Sequence, residues 1–252
     1  MINILLSGAN GKMGQAVTRA VAQASHATIT AGFDINTQRL ADFPVYDDLS
    51  QVTEPVDVII DFSHPSMLDR ILDYAVENNI PAVICTTGLS TEQISRIQYE
   101  AKNIPLFFSA NMSLGVNLLI DLVSRAAKIL ENNFDIEIIE KHHNQKLDAP
   151  SGTALAIADA ISDTVSYEAE YTYDRHSVRK KRDKREIGIH AVRGGTIVGE
   201  HEVLFAGTDE VISVKHTATS KEVFAVGALR AAIYLTEQKP GLYAMKDLIA
   251  AQ

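Results

Sequence analysis

The chain has 252 residues, 46% of them hydrophobic and 22% charged, with a formal net charge of −9. That length allows one large or two modest domains with ample core, and the composition is that of a globular rather than a disordered chain. The acidic balance argues against nucleic acid as a partner, and no apolar run approaches the roughly 20 residues that a membrane span needs.

The first half alternates strand and helix. Ile2–Leu6 reads as a buried strand and Lys12–Ser25 as a helix. Thr28–Phe33 reads as the next strand, and Val56–Ile60 as a β-branched strand ending at Asp61. A helical pattern runs from Ser66 to about Asn78, Ala82–Cys85 is a short strand, Thr91–Lys102 a helix with Thr91 as its cap, and Leu106–Phe108 another strand. Strands alternating with helices imply parallel βαβ units whose loops gather at the carboxyl edge of one sheet.

After Asn111 the rhythm changes. Val116–Glu131 reads as a long helix, Phe134–Glu140 as a strand, and Ser151–Ile161 as a helix. Ile187–Val192, Thr196–Phe205 and Glu210–His216 then follow as three successive strands, and Lys221–Leu235 as a last helix. Successive strands favour an antiparallel or mixed sheet. The expected fold is α/β: a Rossmann-like dinucleotide-binding domain (1–112 and 218–252) with an inserted α+β domain (113–217) built on a mixed open sheet. The single cysteine, Cys85, excludes an intrachain disulfide, and the N-terminus enters a strand with no basic region before it. A cytoplasmic protein without a signal peptide is expected.

Gly8-Ala-Asn-Gly-Lys-Met-Gly14 joins the first strand to the first helix. Glycines there permit a tight turn and a close approach of backbone to a pyrophosphate at the helix N-terminus. The spacing is G-x-x-G-x-x-G, which departs from the stricter G-x-G-x-x-G fingerprint. Its context strengthens it, because Asp34, twenty residues past Gly14, stands where a carboxylate accepts bonds from ribose hydroxyls. Asp34 would repel a ribose 2′-phosphate, whereas Lys12 or Arg39 would offset that repulsion, so both NADH and NADPH are expected to work. Cys85-Thr-Thr-Gly88 and Ser109-Ala-Asn-Met112 follow strands and would emerge at the same sheet edge, where small hydroxyl and amide groups suit cofactor contacts; ordinary turn chemistry is the alternative.

Glu140-Lys-His-His-Asn-Gln-Lys-Leu-Asp-Ala-Pro-Ser-Gly-Thr153 gathers two imidazoles, a lysine and a helix start. Imidazole moves protons near neutral pH, Lys146 adds a compact positive charge, and free N–H groups at Ser151-Gly152-Thr153 favour an anion. Together they suggest a small acidic substrate; a solvated polar loop is the bland alternative. A metal site fits poorly, since adjacent histidines on a strand face opposite ways and paired cysteines are absent. Cys85 as a nucleophile competes with Cys85 as a small buried hydrophobe. A non-enzymatic NAD(H) sensor would keep the Gly8 loop but need no proton donor. The run Arg175–Arg185, with seven Arg and Lys residues, reads as a solvated loop that raises the positive potential near an anionic substrate. Arg193 and Glu200-His201 are structural, interfacial or near the site, and the sequence leaves these open.

The Gly8–Gly14 loop, Thr86-Thr-Gly88, Ser109-Ala-Asn-Met-Ser113, Glu140-Lys-His-His, Asp148-Ala-Pro-Ser-Gly-Thr153, Val192-Arg-Gly-Gly-Thr-Ile-Val-Gly-Glu-His201 and His216-Thr-Ala together resemble a known family. It is that of 4-hydroxy-tetrahydrodipicolinate reductase, long called dihydrodipicolinate reductase, of the bacterial diaminopimelate and lysine pathway. The resemblance runs nearly end to end, and its most specific part is His-His-x-x-x-Lys followed by Asp-Ala-Pro-Ser-Gly-Thr.

The resemblance implies an oxidoreductase in which His142 exchanges the proton and Lys146 is its partner donor, close enough to bias its charge. His143, Gly152 and Thr153 would touch the substrate. Gly8, Ala9, Asn10, Gly11, Lys12, Met13, Asp34, Cys85, Thr86, Thr87, Ser109, Ala110, Asn111 and Met112 would hold NADH or NADPH. It implies a cyclic dicarboxylate substrate reduced at ring C4, and a homotetramer assembled through the second domain's sheet. Cys85 stands where the family often has glycine, and Ile35 where some relatives have a basic residue.

Overall fold

In a computed structural model, which describes residues 1–251, the chain forms two units. One comprises Met1–Leu114 together with the segment from Lys221 onward, and the other Gly115–Ser220.

The first unit is built on a seven-stranded parallel sheet in the order β12-β6-β5-β4-β1-β2-β3. Its strands are β1 (Ile2–Ser7), β2 (Ala27–Phe33), β3 (Val45–Tyr46), β4 (Val58–Asp61), β5 (Ala82–Ile84), β6 (Pro105–Phe108) and β12 (Gly241–Tyr243). These strands are short apolar runs because both faces are covered. Ile4, Leu6, Val58, Ile60, Val83 and Phe107 point to one face, where α1 (Lys12–Ala22) and α6 (Glu222–Leu235) pack. Leu5, Ile59, Ala82, Ile84 and Leu106 point to the other, toward α2 (Leu68–Glu77) and α3 (Thr91–Glu100). A last helix, α7 (Met245–Ala250), joins the first face. Strand β1 lies between β2 and β4, so the connections diverge on either side of it. Their divergence makes the carboxyl ends of β1 and β4 the switch point at which such sheets bind ligands.

The second unit carries a five-stranded mixed sheet in the order β11-β10-β7-β9-β8. Its strands are β7 (Asp135–His142), β8 (Glu170–Thr172), β9 (Glu186–Arg193), β10 (Gly199–Ala206) and β11 (Val211–Ala218). β10 runs antiparallel to both neighbours, while β7, β9 and β8 run parallel. Helices α4 (Leu114–Leu130) and α5 (Gly152–Ser162) cover one face. Along β7 every second residue is buried, namely Ile136, Ile138, Glu140 and His142. β10 answers with Phe205, Val203, His201 and Gly199. The covered face is therefore apolar at one end and polar at the other.

The structure corrects several local expectations. Ser90, not Thr91, caps α3: its Oγ accepts from Gln93 N at 3.2 Å, and Gln93 Oε1 accepts from Ser90 N at 3.0 Å, a reciprocal capping box. α1 stops at Ala22, short of Ser25, and the pattern at Ser66 opens with a 3-10 turn over Pro65–Met67. Strands β3, β8 and β12 have two or three residues each, too few for a periodicity. Among the described residues, no helix is long and apolar enough to cross a membrane.

Candidate active site

In the first unit the glycine loop closes on itself tightly. Gly8 sits at φ +73, and a side chain there would meet the Phe62 carbonyl at 2.6 Å. At Gly14 a Cβ would lie 2.2 Å from the Gly8 carbonyl, so only glycine lets α1 start so near the loop. Gly11 is the N-cap of α1 and supplies no side-chain cap, which leaves the opening turn of this eleven-residue helix without a capping side chain. That is the arrangement a pyrophosphate needs.

Asp34, just past β2, locks this loop: its Oδ2 accepts from Asn10 N at 2.9 Å and its Oδ1 from Asn36 N at 3.0 Å. The Asn10 side chain donates to the carbonyls of Asn36 and Gln38. Loop, carboxylate and the 62–67 segment enclose a cleft of about 630 Å³, lined among others by Gly8, Gly11, Asp34, Phe62, His64 and Thr87.

In the second unit the site grows from the polar end of the covered face. Glu140 is fully buried. Its Oε2 faces His142 Nδ1 at 2.7 Å and its Oε1 accepts from Ser151 N at 2.9 Å. Arg193 Nη1 and Nη2 donate to the two oxygens at 2.7 and 2.6 Å. Burial alone would push this carboxyl up; the bonds from Arg193, His142 and the Ser151 amide more than offset it and hold Glu140 below the usual carboxylate range. An ionised carboxylate only accepts, so His142 Nδ1 carries the proton and Nε2 is left for a substrate. Nε2 lies against Gly199, where a Cβ would sit 3.2 Å away.

Ser151 caps α5, its Oγ accepting from Ala154 N at 3.2 Å, and the same Oγ contacts His201 Nε2 at 3.1 Å. The His201 ring meets the His142 ring edge-on at 5.2 Å. Burial, helped by the neighbouring His142, pushes His201 down to about 4, so it is neutral at pH 7.

Lys146 does not rest on His142. Its Nζ pairs with Asp148 Oδ1 at 2.9 Å. The Lys146 bond, with a smaller contribution from the Gly152 amide, holds the Asp148 carboxyl below its ordinary value. This corner of the unit, at the start of α5, thus already holds one carboxylate. Gly152 itself is open, with no atom within 4 Å of a side chain built there. His143 and Thr153 are half-buried on either side of that loop.

Other expected residues divide between cleft and core. Gly8, Gly11, Asp34 and Thr87 line the cleft. Lys12 and Ala110 are exposed, and Met13 packs half-buried against the core. Ala9, Cys85 and Met112 are core side chains, so only their backbones are available to a ligand. Burial and the nearby Asp61 charge push the Cys85 thiol well above its ordinary value, which disfavours a nucleophilic thiolate. Thr86 Oγ1 donates to the buried Asp61 at 2.7 Å, tying the β5 loop to β4. Ser109 Oγ donates to the Asn111 carbonyl at 3.0 Å, and Asn111 Oδ1 accepts from Ser113 N at 2.9 Å.

Arg39 does not face Asp34: it donates to the carbonyls of Ala41 and Asp42. The basic run is largely exposed loop, as expected, but most of its charges are paired. Arg175 pairs with Glu137 and Glu186, Lys180 with Glu186, Arg182 with Asp135 and Glu137, Lys184 with Asp135, and Arg185 with Glu170 and Asp183. Bonds from Lys180 and Arg175 hold Glu186 at about 2. Five of the seven cations are neutralised where they stand, so this segment adds little to any potential around a substrate.

Sequence reasoning missed His64 and Phe62 at the cleft, and left Arg193 and His201 unassigned; the latter two belong to the Glu140 cluster. The signal was phase: Glu140, His142 and His201 stand in step with inward apolar residues, where an unpaired polar group would be costly.

A dinucleotide cradle in one unit and a clamped imidazole in the other mark a nicotinamide-dependent oxidoreductase. Comparison with known proteins narrows this class. Residues 2–112 match the family described as dihydrodipicolinate reductase, N-terminus, and residues 115–249 its C-terminus. The 4-hydroxy-tetrahydrodipicolinate reductase of Caldanaerobacter subterraneus subsp. tengcongensis is 54% identical over 99% of this chain and 98% of its own. That of Clostridium novyi is 46% identical over the full length of both. The dipicolinate-bound dihydrodipicolinate reductase of Paenisporosarcina sp. TG-14 superposes with a TM-score of 0.83 at 27% identity, over 97% of each chain. The chain belongs to the dihydrodipicolinate reductase family.

Proposed function

We propose that this protein reduces 4-hydroxy-tetrahydrodipicolinate to tetrahydrodipicolinate with NADH or NADPH, in the route to diaminopimelate and lysine. The observation that carries this reading is the corner at the start of α5, where Lys146 already holds the carboxylate of Asp148. A cyclic dicarboxylate presents the same group to the same donor, and dipicolinate, bound by the solved relative, is such a molecule.

In this reading the first unit holds the nucleotide. Gly8, Ala9, Asn10, Gly11, Lys12 and Met13 cradle the pyrophosphate with backbone N–H groups at α1, and Asp34 meets the adenosine ribose. Cys85, Thr86, Thr87, Ser109, Ala110, Asn111 and Met112 border the nicotinamide half, the buried ones through their backbones. The 4-hydroxyl leaves as water to give a conjugated ring, and the nicotinamide, when bound, supplies the hydride to its C4. The second unit binds the substrate with Lys146, His143, Gly152 and Thr153, and His142 delivers a proton from Nε2 to the substrate carbon that gains it. General acid catalysis of this kind contributes about 10²–10⁴-fold.

With Arg39 turned onto two carbonyls and Ile35 exposed, Asp34 favours NADH, while the exposed Lys12 still admits NADPH. A cytoplasmic homotetramer assembled through the second unit's sheet completes the proposal; β11 leaves Val211 and Ile212 exposed on that sheet. Light scattering tests the assembly.

The deciding assay follows reduced-nicotinamide absorbance while the preceding synthase generates substrate from pyruvate and aspartate semialdehyde, with NADH and NADPH in parallel. Synthase-dependent oxidation, faster with NADH, is expected. No oxidation by folded protein that binds NADH would overturn the assignment.

A further inference from the structure

We propose that Glu140 is the positioning residue of the proton donor: it fixes His142 as the Nδ1–H form and presents Nε2 to the substrate. This rests on the assignment of His142 as the proton donor and adds to it. The sequence separates the participants widely, with Arg193 lying 53 residues from Glu140. The β7–β9 register closes that gap by setting Glu140 beside Ala191 and His142 beside Arg193.

Four donors surround one carboxylate, two on each oxygen: His142 Nδ1 and Arg193 Nη1 on Oε2, Ser151 N and Arg193 Nη2 on Oε1. The carboxylate is fully buried and saturated, so its orientation is fixed and the imidazole has one ring orientation that satisfies it. Glu140 also holds the amide of the residue that caps α5, so the proton donor and the helix that receives the substrate share one support. Arg193 Nη2 extends the support by donating to the Asp148 carbonyl at 2.6 Å, in the loop that carries Lys146.

A merely structural Glu140–Arg193 pair would affect folding and leave the chemistry alone, so the test reads the chemistry. In Glu140→Gln, kcat is expected to fall about 10²-fold or more, while the affinity for dipicolinate changes by less than about threefold. A kcat within threefold of the parent protein overturns the proposal.

The parent protein, labelled with ¹⁵N-histidine, gives an independent reading that needs no variant to fold. The neutral His142 ring is expected to show a hydrogen-bonded proton on Nδ1 and a lone pair on Nε2; the opposite tautomer overturns the proposal. His142→Gln separates the two levels. If it keeps kcat, His142 is not the donor and the inference falls with that assignment. If it loses kcat while Glu140→Gln does not, only the positioning role is wrong.

Discussion

Arg193 donates to both carboxylate oxygens of Glu140, at 2.7 and 2.6 Å, with the guanidinium mostly covered and the carboxylate fully so. A pair this dry is sensitive to the loss of one partner, because the remaining charge has no water to turn to. Arg193→Ala is expected to destabilise the second unit by about 3 kcal/mol, near the lower end of the range for broken buried pairs, given that the arginine keeps some exposure. Urea unfolding followed by circular dichroism measures it. A change below about 0.5 kcal/mol would mean that the pair is no more than a surface ion pair.

His201 makes stability depend on pH in a defined window. Its ordinary value is 6.5 and burial lowers it to about 4 in the fold. Between these values the unfolded chain binds the proton and the folded chain does not, so stability rises with pH across the interval. Its contribution is complete above about pH 6.5 and is lost as the pH falls toward 4, an effect of about 3 kcal/mol. Urea midpoints of the parent and of His201→Asn across that range test it. The parent should show the steeper slope, and equal slopes would contradict the assignment.

Gly199 is the place to move the His142 ring without touching its partners. A methyl group there would stand 3.2 Å from Nε2, closer than nearly all real contacts of this kind. Gly199→Ala is expected to push the imidazole aside and lower kcat by about 10²-fold with little change in KM, since displacements of about 1 Å cost that much. Steady-state kinetics beside a melting curve separate this from simple unfolding.

Cys85 should behave as a hydrophobe. It is 5% exposed and its thiol is pushed well above the ordinary value. In the native protein a disulfide reagent is expected to react with it only at the rate of unfolding, and Cys85→Ser should keep turnover with some loss of stability. Rapid native-state labelling accompanied by inactivation would reopen a thiol mechanism.

The first unit was legible because its signals are local. Buried parallel strands such as β4, with Val58, Ile59 and Ile60 in succession, read as apolar runs, and the Gly8–Gly14 turn lies in one stretch of chain. The histidine segment was legible for the same reason. What escaped depends on pairing between distant strands. His201 reaches Ser151 and His142 because β10 lies antiparallel to β7 with Glu140 opposite His201, and residue spacing contains no trace of that register. The charge of the basic run misled for a related reason: three of its carboxylate partners, Asp135, Glu137 and Glu170, belong to other strands, and a charge count in one window cannot pair them.

The return of the chain to the first unit has a consequence for how the protein is born. The face of the parallel sheet under α2 and α3 is packed by residues between Leu5 and Leu106. The opposite face draws Ala225, Ala228, Leu229, Ala231, Ala232 and Leu235 from α6, and Met245 and Leu248 beyond it. The second unit's core, from Leu119 to Phe205, lies wholly between these instalments. A ribosome working from the N-terminus therefore finishes the inserted unit while one side of the earlier sheet is covered by α1 alone. Throughout that interval the nascent chain offers an oily, half-covered platform, and the final helices act as the lid that withdraws it from chaperones and from its neighbours.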